Sequence, residues 1–250
     1  MEKLGFLGLG IMGTPMSRNL LRAGFDLTVF DVDNAKVGAL VSEGAKPAAS
    51  PAAMARQVDI LIACLPNADI VDKVVSGGNA GAEQGTLSIM CGGPADAYER
   101  CLPVFQAMGK RITLMGEQVG AGGYAKLTNQ IMVSIHLASV AEAFVFAKKA
   151  GLDLQKLVPA LEAGWANSTV LNVKAPKILN NDYSPVGTVR VQHKDLSYIL
   201  RTMESLDMKL PLCPQIHAMY QQLIDAGEDG LDQMALIQIF ERVSGVRMND

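Results

Sequence analysis

Apolar residues follow two different rhythms along this chain. In the first part they come as short unbroken runs: residues 3–7 (KLGFL), 27–31 (LTVFD) and 58–65 (VDILIACL). A helical pattern ending at Gly24 separates the first two runs. Strand, helix, strand at this spacing predicts a parallel βαβ unit whose strands are buried on both faces. Residues 86–91 (TLSIMC) and 111–115 (RITLM) predict two further strands, with a helix over 95–108 between them despite Pro103. After Gly120 the rhythm changes. From 125 to 150 there is no Gly or Pro, apolar residues fall on nearly all faces, and Gly151 stops the run. At about 1.5 Å per residue such a helix is close to ~40 Å long, and a helix apolar all round is expected to be buried between domains or subunits. Everything beyond reads helical. Between Pro211 and Ala226, for example, Ile216, Met219, Tyr220, Leu223 and Ile224 share one helical face. The expected fold is a Rossmann-type doubly wound α/β domain over 1–118, followed by an all-helical domain over 119–250.

Composition narrows the function classes. The 250 residues carry a net charge of -3 with no basic cluster, which argues against a nucleic-acid surface. Cys64, Cys91, Cys101 and Cys213 form no C-x-x-C pair, and with only three histidines in the chain a metal site is not expected. Reduced thiols and the absence of a cleavage pattern after the glycine-punctuated N-terminus fit a cytoplasmic protein. The apolar stretch 131–147 contains His136 and Glu142, a poor membrane span.

The chemistry begins at Gly8-Leu9-Gly10-Ile11-Met12-Gly13, a G-x-G-x-x-G placed after a predicted strand and before a predicted helix. Gly8 suits a tight turn, Gly10 a close approach to pyrophosphate, and Gly13 close helix–strand packing. The helix N-terminus then offers unpaired N–H groups to phosphates. Asp31 ends the second strand about 20 residues after the last glycine, where an acid binds the adenine ribose hydroxyls. An acid there repels a 2′-phosphate and Val32 supplies no cation, so NAD is expected in preference to NADP.

The stretch GFLGLGIMGTPMSRNLLRAG resembles the start of the β-hydroxyacid dehydrogenases, the family that includes 3-hydroxyisobutyrate dehydrogenase and tartronate semialdehyde reductase. Four later stretches match in order: Leu65-Pro66-Asn67, Ser76-Gly77-Gly78 leading into GTLSIMCGG, GAGGYAKLTNQ at 120–130, and HKDL at 193–196. NSTVLNVKAP at 167–176 and GTLSIM at 85–90 look closer to the tartronate semialdehyde reductases. The resemblance implies that Lys126 is the catalytic acid/base, a role that desolvation of a lysine would favour. It implies that Asn129, three residues on and on the same helical face, holds the substrate oxygen or orients the lysine. Ser76, Gly77 and Gly78 would bind a substrate carboxylate. Leu65 and Pro66 would meet the dinucleotide, and Lys194 would approach from the helical domain on the cofactor side. It also implies a site in the cleft between domains and a homodimer or homotetramer. His136 and His193 read as structural, and Trp165 as a packing residue.

The chain also departs from the family. The resemblance leads one to expect, between the helix after Leu-Pro-Asn and the Ser-Gly-Gly loop, a further segment of roughly forty residues, about one strand–helix–strand unit. Here Val74-Val75 run straight into Ser76, with 70–75 read as the end of that helix, and no Asp-Met-Ser or Asp-Ala-Pro occurs anywhere. Two central strands would be missing. The next strand would have to slide inward, or another chain would have to cover the open edge, and Gly77 and Gly78 would then only cap a helix. Two readings of different class follow: an NAD(P)-dependent reductase of a small 3-oxo acid, or a catalytically impaired form retaining dinucleotide binding or dimerisation.

Overall fold

The computed structural model describes residues 2–65, 75–76 and 78–249, with only the backbone of 75 and 76. The chain forms two compact units, Met1–Lys126 and Leu127–Asp250, the division falling inside one long helix.

Unit 1 opens with β1 (Lys3–Leu7), α1 (Gly13–Arg22) and β2 (Asp26–Phe30). Leu4, Phe6, Leu27 and Val29 are fully or almost fully buried, as befits parallel strands covered on both faces. Next come α2 (Asn34–Ser42) and α3 (Pro51–Ala55), capped by the side chains of Asp33 and Ser50. The two-residue β3 (Lys46–Pro47) lies between them and β4 (Ile60–Ala63) follows. These strands form one parallel sheet in the order β3-β2-β1-β4.

The remaining strands do not join it. β5 (Val75–Ser76), β6 (Leu87–Gly92) and β7 (Gly109–Gly116) form a second sheet, in which β5 is antiparallel and β7 parallel to β6. β6 does not slide in beside β4, because its two edges are already taken by β5 and β7 among the described residues. Two expectations change as a result. Val75 belongs to a strand and not to a helix end. β4, read as buried on both faces, is an edge among the described residues, with Leu61 45% exposed. The sheets share a core, however. Leu87, Ile89, Val104 and Met108, from β6 and from α5 (Ala95–Met108), cluster with Leu4, Phe6 and Leu20. Buried Asn19 on α1 donates through Nδ2 to the Ala82 carbonyl of α4 (Gly78–Gln84) at 2.6 Å.

Unit 2 is helical. The long helix α6 (Ala121–Lys149) begins in unit 1 and leads to α7 (Leu154–Glu162), α8 (Thr169–Leu179) and α9 (Val189–Ser205). They are followed by α10 (Cys213–Asp225), a 3-10 turn at Gln233–Leu236, and α11 (Ile237–Ser244). Leu137, Val140, Ala141, Phe144 and Val145 repeat at helical spacing and pack into the core with Leu171, Ile199, Tyr220 and Leu236. Each large apolar side chain buried there contributes roughly 1.5–3 kcal/mol. α6 has the length and apolar composition of a membrane span, but this face is a core face. Its opposite face exposes Met132 and Phe146 within the single chain. Trp165 is fully exposed and packs on nothing in its unit. Inside the core, Lys174 Nζ lies 2.8 Å from Asp232 Oδ1, with side chains only 4% and 0% exposed. Asp232 also accepts from the amides of Val186 and Met234, so each of its oxygens takes two hydrogen bonds.

Candidate active site

The glycine turn is built for close backbone packing. Gly8 has φ +89°, and a Cβ there would run into the Cys64 carbonyl at the end of β4. A Cβ on Gly13 would run into the Gly8 carbonyl, which is why helix α1 can start this close to the strand it follows. By contrast, nothing lies within 4 Å of a Cβ built on Gly10, so that face of the turn is open. Among the described residues the amides of Gly10, Ile11 and Met12 find no acceptor, and α1 has no acidic residue in its first turn. Unpaired donors at a helix N-terminus with an open approach are what a pyrophosphate requires.

Asp31 stands just beyond β2 and closes on this turn. Its Oδ2 accepts from the Leu9 amide at 2.6 Å and its Oδ1 from the Asp33 amide at 2.9 Å. Desolvation pushes the carboxyl up, but these bonds together with Lys36 outweigh it and hold Asp31 below its ordinary value. It is an anion that can still accept from ribose hydroxyls, since each oxygen has a second lone pair. Ile11 and Val32 are 79% and 92% exposed beside it, apolar surface that a nucleoside would cover. Leu65 reaches the same turn, its Cδ2 3.1 Å from a Cβ placed on Gly8. The residues present therefore fit a dinucleotide. Pro66 lies outside the described residues.

Of the Ser76-Gly77-Gly78 loop, Gly77 is likewise outside them. The Ser76 backbone pairs with Ser88 in β5–β6. Gly78, at φ +60°, is the exposed first residue of α4. The loop thus enters from an antiparallel strand and opens a helix.

Lys126 is placed by glycine of another kind. At the end of β6, a Cβ on Gly92 would stand 2.7 Å from the Gly122 amide nitrogen. The first turn of α6 thus lies against the carboxyl end of the second sheet, with Lys126 in the following turn, half-buried. This contact explains why α6 starts at Ala121, ahead of the glycine-free run. Nearby, burial pushes the Cys91 thiol up to about 11, so it stays protonated at neutral pH and is a poor nucleophile. Among the described residues no three His, Cys, Asp or Glu side chains gather as metal ligands.

In unit 2, half-buried Asn129 donates through Nδ2 to Gln130 Oε1 at 2.8 Å. Lys194 lies on α9 with Nζ 3.6 Å from Asp195 Oδ1 and 5.9 Å from the Tyr198 ring centroid. Gln130 and Asp195 were not singled out in the sequence. Their signal was positional: Gln130 is the i+4 neighbour of Lys126, and Asp195 follows Lys194.

Comparison with known proteins agrees with this architecture. Residues 3–75 and 67–116 match the NAD-binding domain of 6-phosphogluconate dehydrogenase in two pieces. Residues 120–240 match the family described as NAD-binding of NADP-dependent 3-hydroxyisobutyrate dehydrogenase. The 2-hydroxy-3-oxopropionate reductase of Escherichia coli is 32% identical, with 98% of this chain and 99% of that protein covered. That alignment runs over 296 positions against the 250 residues here, so at least 46 of its positions have no residue in this chain. Among solved structures, a 3-hydroxyisobutyrate dehydrogenase of Mycobacterium tuberculosis, determined with L-serine, superposes with a TM-score of 0.87 at 26% identity. That match covers 96% of this chain and 99% of the other. A 3-hydroxyisobutyrate dehydrogenase from Salmonella typhimurium gives 0.81 at 27% identity, covering 95% and 99%.

The fold and the glycine turn define an oxidoreductase of the NAD(P)-dependent hydroxyacid dehydrogenase class. Within that class, the chain belongs to the β-hydroxyacid dehydrogenase family.

Proposed function

We propose that the protein reduces a small 3-oxo acid at the expense of NADH, with 2-hydroxy-3-oxopropionate (tartronate semialdehyde) as substrate. The observation that carries the substrate is the 32% identity to the Escherichia coli reductase along 98% of this chain. The TM-score of 0.87 to a 3-hydroxyisobutyrate dehydrogenase favours that enzyme's substrate as a second reading.

The glycine turn and the α1 N-terminus would hold the pyrophosphate, Asp31 the adenine ribose, Leu65 and Pro66 the dinucleotide surface, and Lys194 its nicotinamide side. When bound, the nicotinamide supplies hydride to the substrate carbonyl. Lys126 gives its ammonium proton to the oxygen that becomes the alcohol, and takes it back in oxidation. Asn129 holds a hydroxyl oxygen of the substrate or orients Lys126, and the Ser76-Gly77-Gly78 loop holds the carboxylate. Asp31 favours NAD over NADP because a second anion at the 2′ position meets a carboxylate.

We infer that the residues missing relative to the reductase fall at 67–75, where the two pieces of the family match meet. The reading also takes the protein as soluble, cytoplasmic and dimeric or tetrameric, with its partner copy on exposed helical surface such as Phe146. Light scattering at micromolar concentration should then show no monomer. The deciding experiment is an NADH titration followed by an NADH-oxidation assay with tartronate semialdehyde and with methylmalonate semialdehyde. Turnover of the first above the second supports the proposal. Tight NADH binding without turnover of either establishes a dinucleotide-binding form disabled by its shortened sheet.

A further inference from the structure

Asn129 carries a hydrogen bond that a helix does not make by default. Side chains at i and i+1 point about 100° apart and do not face each other. Yet Asn129 Nδ2 meets Gln130 Oε1 at 2.8 Å. The bond forms because Gln130 is held from the other side: its Nε2 donates to Asp195 Oδ2 at 2.6 Å. One turn further along α6, Ser134 Oγ donates to the Gln130 carbonyl at 2.7 Å and accepts from Gln192 Nε2 at 2.6 Å. Ser134 and Gln192 are 0% and 1% exposed. Two rungs thus join α6 to α9, Gln130–Asp195 and Ser134–Gln192, all within unit 2.

The carboxylate at the end of this chain fixes its polarity. An ionised carboxylate only accepts hydrogen bonds. Gln130 must therefore turn Nε2 toward Asp195 and Oε1 toward Asn129. Asn129 must then turn Nδ2 toward Gln130, and the atom it offers elsewhere as an acceptor is Oδ1. A charge-assisted bond is roughly twice as strong as a neutral one, so the carboxylate anchors an amide pair that could otherwise flip.

We propose that Asp195 is a positioning residue. Acting through Gln130, it sets the amide of Asn129 with its oxygen as the atom offered to a hydroxyl-bearing substrate. This rests on the substrate role assigned above to Asn129. It extends that role by tying it to Asp195, whose other oxygen pairs with the cofactor-side Lys194.

The test uses the full chain with Gln130→Met, Asp195→Ala, Asp195→Asn and the double variant Gln130→Met/Asp195→Ala. Gln130→Met breaks the relay without touching Lys194. It and Asp195→Ala should each lower kcat by roughly 10- to 100-fold, the cost of a misplaced substrate contact. NADH affinity of Gln130→Met and its melting temperature should stay near wild type. Asp195→Asn should recover most of kcat, because an amide oxygen can also accept from Gln130. The double variant should be no worse than the poorer single one, since both act on one chain of bonds. A readout independent of turnover is the side-chain amide of Asn129 in 15N NMR. One of its hydrogens should be protected from exchange in the wild type and lose protection in both single variants. Unchanged Asn129 amide signals in Asp195→Ala, or losses of kcat that multiply in the double variant, would overturn the proposal. If the wild type reduces no oxo acid, the substrate reading falls, and the NMR comparison alone decides whether the relay exists.

Discussion

The two units solve the problem of a core in different ways. The helical unit closes its apolar faces around Leu137, Phe144, Tyr220 and Leu236 and buries the Lys174–Asp232 ion pair. The α/β unit keeps one well-covered sheet around β1 and β2, but among the described residues its strands divide into two sheets, with β4 and β7 at edges. The chemistry of the first sheet survives the division because the glycine turn depends only on its immediate neighbours β1, β2, β4 and α1. The Ser76-Gly77-Gly78 loop has no such protection, since its direction depends on whatever strand delivers it. Function is therefore most robust where the motif is local, and most exposed where a loop is aimed from a distance.

The comparison can be broken most forcefully at Lys126. Lys126→Ala should lower turnover by roughly 10²–10⁴-fold, the usual worth of a positioned acid/base, while NADH still binds. Near-normal kcat in that variant would remove the proposed acid/base. In the helical unit the matching test is Lys174→Met. It leaves Asp232 buried without its counter-charge and should cost about 3–5 kcal/mol, read as a lowered denaturant midpoint. A loss under about 1 kcal/mol would mean the pair adds little beyond what its hydrogen-bonded surroundings already provide.

A smaller effect should separate local from distant control in the α/β unit. Gly13→Ala puts a methyl group against the Gly8 carbonyl and should weaken NADH binding at least about tenfold by forcing helix and turn apart. Gly78→Ala, at an exposed position with no neighbour within 4 Å, should leave NADH affinity unchanged. Equal losses in both would contradict the independence of the glycine turn.

The smallest effect concerns pH. His217 stacks on His193 with ring centroids 4.2 Å apart, and burial, with a smaller contribution from His193, holds its pKa below the ordinary 6.5. A base whose folded pKa is depressed binds fewer protons folded than unfolded. Its contribution to stability is complete above about 6.5 and fades as pH falls toward the folded value. The melting temperature should fall modestly between pH 7 and 5, and His217→Gln should flatten that slope. A slope that survives the substitution would assign it to other groups.

Much of this was legible in the sequence for reasons that can be named. Strand, G-x-G-x-x-G, helix, strand and acid are consecutive, so residues 3–31 identified the nucleotide end and the structure placed Asp31 on the Leu9 amide. The helix through Pro103 was readable from its place between two strand runs, and the one between Pro211 and Ala226 from apolar spacing. The early start of α6 was not, because Gly122 and Gly123 read as a break until Gly92 is seen packed against Ala121 and Gly122. The exposure of Trp165 within its unit was not legible, because an aromatic ring carries no mark of whether anything covers it.

By itself the sequence determined the class of enzyme, the order of elements and the residues able to do the chemistry, because those follow from local spacing and residue type. Only the tertiary structure decided that the sheet divides, that Val75 is a strand residue, and that Asn129 is tied through Gln130 to Asp195. Those outcomes depend on which strand edges pair with one another, and on hydrogen bonds between residues 65 positions apart, which no local pattern records.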